Sequence, residues 1–156
     1  MARAYGRGPS GQRVIGSEPK NWGDSVTVAA CLTDSGIVAP FYRHGSMSGD
    51  WMTAYVEQVL CPELREGDIV IMDNLAAHKS LRVRECIEAH GADLLFLPPY
   101  SPDLNPIELA WSKMKALLRK LAARTYDSLL DGVADALRAI TPRDASSFFS
   151  ACGYAP

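Results

Sequence analysis

The chain has 156 residues, 47% of them hydrophobic and 22% charged, with a formal net charge of −2. That length and balance fit one globular domain with a self-sufficient core, and they exclude a disordered or collagen-like chain. No apolar run nears membrane-spanning length, so no membrane is expected, and no global basic field marks the chain as a nucleic-acid binder by charge alone.

Residues 1–23 are rich in Gly, Arg and Pro, without periodicity, and read as loop. "SVTVAACLT" has strand composition, "DSG" is a turn signal, and "IVAPFYRHG" reads as the second arm of a hairpin. A helix is predicted from Gly49 to Leu60, with Ser48 as N-cap and Met52, Tyr55, Val56 and Val59 on one face. "IVIM" is a β-branched run without alternation, as expected of a strand buried on both faces. A helix over 80–90 ends at Gly91, and "DLLFL" is predicted to be another buried strand. After the loop "PPYSPDLNP", a helix runs from 106 to about 123, with Trp111, Met114, Leu118 and Leu121 on one face. The tail holds the helix "YDSLLDGVADALRAI", then "TPRD" as a restart before a last short helix. This order predicts an α/β sheet, antiparallel on one side and parallel on the other. Residues 1–124 form its core, and 125–156 a helical extension of the same domain.

Charge is uneven along the chain. Lys113, Lys115, Arg119, Lys120 and Arg124 fall together without an acid, and Arg3, Arg7 and Arg13 do the same near the start. Such patches either steer phosphates or form a solvated face. Cys31, Cys61, Cys86 and Cys152 lie far apart, with no CxxC pair or Cys/His cluster, which argues against a zinc site and for buried thiols.

Two acids frame the candidate site. Asp73 ends the "IVIM" segment, where ligands gather in open α/β sheets; an Asx turn would equally place an Asp there. Glu108 falls at the third position of the helix behind Asn105 and Pro106, an arrangement that suits a capping box. If the two carboxylates converge instead, they supply the hard oxygen ligands that Mg²⁺ prefers and that two-metal phosphodiester cleavage needs.

"VIMDNLAAHKS" and "LLFLPPYSPDLNPIELAWSKMK" closely resemble the DDE transposases of mariner-like bacterial insertion sequences, and 34 residues separate Asp73 from Glu108, as that superfamily shows for its closing Glu. "MARAYGRGPSGQR" and "YVEQVL" also look like that family, so the likeness spans nearly the whole chain. The resemblance implies an RNase H-like fold with a mixed sheet flanked by helices. It implies that Asp73 and Glu108 are the second and third metal-binding acids, with Mg²⁺ or Mn²⁺. It also implies cleavage of double-stranded DNA at transposon terminal repeats and transfer into target DNA, by a synaptic homodimer in the bacterial cytoplasm, associated with the nucleoid. Asn74 and His78 match the family's string beside Asp73, with a direct role or loop hydrogen bonding as the two readings. Lys113, Lys115, Arg119, Lys120 and Arg7 are the candidate DNA contacts. Four prolines stiffen the loop that delivers Glu108, and Tyr100 is expected to anchor it.

The sequence departs from the family pattern at the first Asp, which belongs at the end of a strand upstream of the segment resembling "MARAYGRGP". Asp24, Asp34, Asp50 and Asp68 do not end an apolar strand, so none is a substitute. That strand is central in RNase H-like sheets, and without it the hairpin and "IVIM" would face each other with unpaired backbone edges. The expectation is therefore the C-terminal part of a transposase: a relic, a wrongly called start, or one half of a frameshifted gene, with the N-terminal part as a separate chain or frameshift product among its candidate partners. A non-catalytic DNA- or partner-binding remnant and a stand-alone RNase H-like nuclease remain as alternatives.

Overall fold

A computed structural model describes residues 9–11, 26–123 and 125–154. Arg3, Arg7, Arg13, Asp24 and Arg124 lie outside these.

The hairpin consists of β1, Val26–Thr33, and β2, Gly36–His44, paired antiparallel from Val26 opposite His44 to Thr33 opposite Gly36. Asp34 and Ser35 make the turn, and Gly36 supplies the φ of 117° that follows it. The register slips between Ala29 and Cys31, where β2 carries an extra residue. Ala39 sits there at φ 49°, followed by Pro40, which has no N–H to give a ladder. The Tyr55 hydroxyl donates to the Ala39 carbonyl at 2.9 Å and pins this bulge from the next element.

That element is α1, Gly49–Tyr55, capped by the Ser48 hydroxyl, which accepts from the Trp51 N–H at 3.3 Å. It continues as a π-helical turn over Val56–Leu60 and a 3₁₀ turn over Cys61–Glu63. β3, Ile69–Met72, then runs parallel to β4, Asp93–Phe96, with α2, Leu81–Ala89, as the crossover. The long helix α3, Pro106–Leu121, is followed by α4, Tyr126–Arg138, and α5, Pro142–Ala151. Thr125 and Thr141 open the last two with capping boxes.

Alternation sorts the hairpin's side chains between two layers. Ala29 joins Trp51, Met52, Tyr55, Val56, Leu60, Val70, Val83, Ile87 and Leu94 in a core beneath α1 and α2. Val28 and Ile37 turn the other way, onto a second cluster of Met114, Leu118, Val133, Ala136 and Leu137 between α3 and α4.

Among the described residues the two pairs of strands do not join: β1–β2 and β3–β4 are separate two-stranded sheets. A cavity of about 510 Å³ is lined by six consecutive residues on each side, Val28–Thr33 and Asp68–Asp73. Successive strand residues point to opposite faces, so a cavity touched by every residue in a run meets the strand along its backbone edge. Met52, Tyr55 and Leu60 close it from one side, and Ile107, Trp111 and Phe149 from the other. Among the described residues this slot lies between the hairpin and "IVIM".

Two expectations need correction. "IVIM" and "DLLF" are not buried on both faces: Val70 and Leu94 are buried, but Ile69 is 58% exposed and Leu95 53%. Helices α1 and α2 cover one face, while α3 packs over the hairpin instead of over β3 and β4. Leu121, placed on the inner face of α3, is also exposed, because the helix ends there and Ala122 turns left-handed.

Lys113 ties α3 to α5. Its ammonium lies 2.6 Å from the Asp144 carboxylate, which also accepts from the Thr141 N–H at 2.9 Å. The lysine first, and the cap contacts second, hold the Asp144 carboxyl well below the usual carboxylate range. A depressed acid contributes stability that is present above its unfolded value of about 3.9 and is lost as the pH falls through the folded value. Asp144→Asn keeps the cap and removes the charge. We predict that its urea midpoint lies below wild type at neutral pH and that the gap closes as the pH falls below about 4; a gap independent of pH contradicts the ion pair.

Candidate metal-binding acids at the end of the slot

Asp73 leaves the C-terminal end of β3. Its Oδ1 accepts from the Leu75 N–H at 3.3 Å, so the Asx-turn reading holds for that oxygen. The same Oδ1 lies 2.5 Å from Nδ1 of His78, in the 3₁₀ turn Ala76–His78. That nitrogen is buried and has no aligned hydrogen bond among the described residues, so the two side chains touch without a formed hydrogen bond. Oδ2 of Asp73 has no partner among the described residues.

Glu108 comes from the first turn of α3, on the far side of the chain's Pro-rich loop. The capping box that would have occupied it does not form, because its own N–H already bonds the Asn105 carbonyl at 3.0 Å and the Asn105 side chain caps nothing. The Glu108 carboxylate is exposed and makes no hydrogen bond or ion pair among the described residues.

The two acids border the same space. Asp73, Leu75, Asn105 and Glu108 line both the slot and a second cavity of about 420 Å³ that also takes in Asn74, Lys79, Tyr100 and the prolines of the loop. Two carboxylates from separate elements, with the Asn105 amide beside them, make a hard-oxygen donor set that fits Mg²⁺ or Mn²⁺ completed by waters and phosphate. Glu63 and Asp68 also line the slot, but Asp68 lies beyond the opposite end of β3 and accepts from the Arg65 N–H at 2.8 Å. Asp34 bonds Ser35 in the hairpin turn, and Asp50 sits in the first turn of α1. Among the described residues no third carboxylate therefore joins Asp73 and Glu108. Nor is there a thiol nucleophile: Cys31 lines the slot, but burial pushes its pKa to about 11.

The basic candidates separate by helical phase. Lys115 and Arg119 are seven and eleven residues beyond Glu108, on its stripe of α3, about 10 and 16 Å along the axis. Both are exposed, as is Lys120 on the opposite flank. Lys113 is engaged with Asp144, which corrects its reading as a phosphate contact. Tyr100 does not anchor the loop. It is fully exposed, at φ 57° on the rim of the second cavity. Lys79, inside the "VIMDNLAAHKS" string, faces the same cavity.

A family profile described as DDE superfamily endonuclease matches residues 1–130. The Transposable element Tc1 transposase of Caenorhabditis elegans is 29% identical over 152 residues, covering 87% of this chain and 55% of that one. The Tcb2 transposase of Caenorhabditis briggsae, also 29% identical, is matched over 46% of its length, so the chain spans about half the length of the curated relatives it matches. Among solved structures, the Mos1 strand transfer complex superposes with a TM-score of 0.75 at 16% identity, over 97% of this chain and 47% of that one. The fold is accordingly the RNase H-like one of the Mos1 catalytic domain. With its acids at the strand end and the helix start, and a family match over most of its length, the chain belongs to the DDE superfamily endonucleases.

Proposed function

We propose that this chain carries two of the three carboxylates of a metal-dependent DNA strand-cleavage and strand-transfer site, and that a strand filling the slot brings the third. The observation that carries this is the shared space itself. Asp73 and Glu108, with 34 residues between them in sequence, share two cavities at the end of a slot that no strand fills among the described residues. Mos1 paired-end complexes have been solved with Mn and with Mg, which supports the same ions here.

Asp73 and Glu108 would hold the metal. When bound, it supplies Lewis-acid polarisation and a more acidic nucleophile at the phosphodiester. His78 acts as a positioning residue, holding Oδ1 of Asp73 so that the carboxylate keeps one orientation. Asn74 borders the second cavity and can donate to a phosphate oxygen there. Lys115 and Arg119 lead away from Glu108 as a track for the DNA backbone, with Lys120 and Arg7 as further contacts. The substrates would be transposon terminal repeats and a target duplex, handled by a synaptic dimer in the cytoplasm of a bacterium carrying the insertion sequence. We read residues 1–124 as the catalytic core and 125–156 as its helical extension.

The completing strand needs a continuous apolar run, to meet Met52 and Leu60 on one side and Ile107 and Trp111 on the other, and an acid at the end nearest Asp73. A separately made N-terminal part of the enzyme fits that description. A synthetic peptide of Val and Ile residues closed by Asp-Glu, with a solubilising Lys tail at its other end, tests it. Its binding should slow amide exchange in 28–33 and 69–72. With Mn²⁺ it should allow nicking of terminal-repeat DNA, and Asp73→Asn should abolish the nicking. Unchanged exchange overturns the slot reading; protection without nicking favours the non-catalytic remnant.

The DNA track makes a separate prediction. Removing Lys115 and Arg119 together should weaken duplex binding and reduce the salt slope by about two. Lys113→Ala should leave that slope unchanged; equal effects from all three would mean a diffuse surface charge.

A further inference from the structure

Outside both cavities that Asp73 and Glu108 line, two thiols and an imidazole converge. Cys61 opens the 3₁₀ turn after α1, Cys86 lies in α2, and His90 caps that helix. The two sulfurs are 2.9 Å apart, and the ligand atoms of all three residues lie within 4.8 Å of one another. No other group of three or more His, Cys, Asp or Glu among the described residues is placed to share an ion. We propose that Cys61, Cys86 and His90 form a site for one zinc-class cation, which clips the end of α1 to α2.

Several features favour a cation over other uses of the pair. A disulfide would employ the two sulfurs and leave the imidazole idle. Here Cys86 and His90 are four residues apart, on one face of α2, with the ring turned back over the helix. Nδ1 of His90 lies 2.8 Å from the Cys86 carbonyl. In the tautomer that donates there, the lone pair sits on Nε2, the arrangement that outer hydrogen bonds impose on metal-binding histidines. Two thiolates and one imidazole match zinc's preferred donors, with a fourth position for water. Tetrahedral zinc, with Zn–S of about 2.3 Å, sets its sulfurs about 3.8 Å apart. The pair must therefore open by just under about 1 Å on loading, a small rotation for half-buried Cys86. Glu57, one turn before Cys61, is engaged by Arg82 and is not counted as a ligand.

Sequence spacing hides the site. Its only local trace is Cys86-x₃-His90, and Cys61 lies 25 residues away. The site also shares no residue with the acidic pair, so it stands or falls independently of the proposed DNA chemistry.

The test is zinc titration of the reduced full chain against a competing chelator dye, in excess Mg²⁺. One equivalent should bind, and zinc should raise the melting temperature. Cys61 is fully buried, so the variants Cys86→Ser and His90→Asn carry the comparison. Each should weaken zinc binding at least tenfold and remove the thermal shift, while Asp73→Asn binds zinc like wild type. Absence of binding, binding unchanged in both variants, or spontaneous Cys61–Cys86 oxidation unaffected by zinc would overturn the proposal.

Discussion

Backbone N–H and C=O groups along a strand point alternately to its two sides, so a strand paired on one side offers about half of them to the other. In this molecule β1 and β3 both present that free side to the same slot. Each unsatisfied group, if buried dry, costs about 1–3 kcal/mol, and a domain's whole margin is about 5–15 kcal/mol. The slot therefore stays open to water or takes a strand. The apolar side chains that close it from both helical layers, Leu60 and Met52 on one side and Trp111 and Ile107 on the other, suit the second state better than the first. The split sheet thus governs the rest: it separates the hairpin layer from the β3–β4 layer, and it ends at Asp73.

At that end Asp73 and Glu108 border the same two cavities. Several acids elsewhere are engaged locally: Asp68 on a turn, Asp144 on a cap and a lysine, Glu57 on Arg82. Glu108 makes no hydrogen bond or ion pair among the described residues, although its position in the first turn of α3 is the one from which a glutamate ordinarily reaches back to cap.

Much of the architecture was legible because it rests on local chemistry. The "DSG" turn, the Ser48 cap, Gly91 after α2 and the "TPRD" restart are decided by residues within one turn of each other. That Asp73 and Glu108 border one space was legible only through a family resemblance, since nothing in spacing alone brings a strand end to a helix start. What stayed hidden was long-range or exposed. Lys113 reads as a free cation until α5 brings Asp144 against it. "IVIM" reads as buried on both faces, because an apolar run does not reveal that α3 prefers the hairpin. Tyr100 reads as an anchor, yet its left-handed backbone throws it outward. Cys61 and Cys86 meet only because the π-helical turn carries α1 on towards α2.

The central claim is that positions 73 and 108 grip one ion. Mn²⁺ binding followed by electron paramagnetic resonance in Asp73→Asn, Glu108→Gln and the double variant tests it most directly. Sharing predicts that each single change weakens binding at least tenfold and that the double variant is little worse than either. Single variants that bind as wild type does, or losses that simply add, would mean the two carboxylates never hold a common metal.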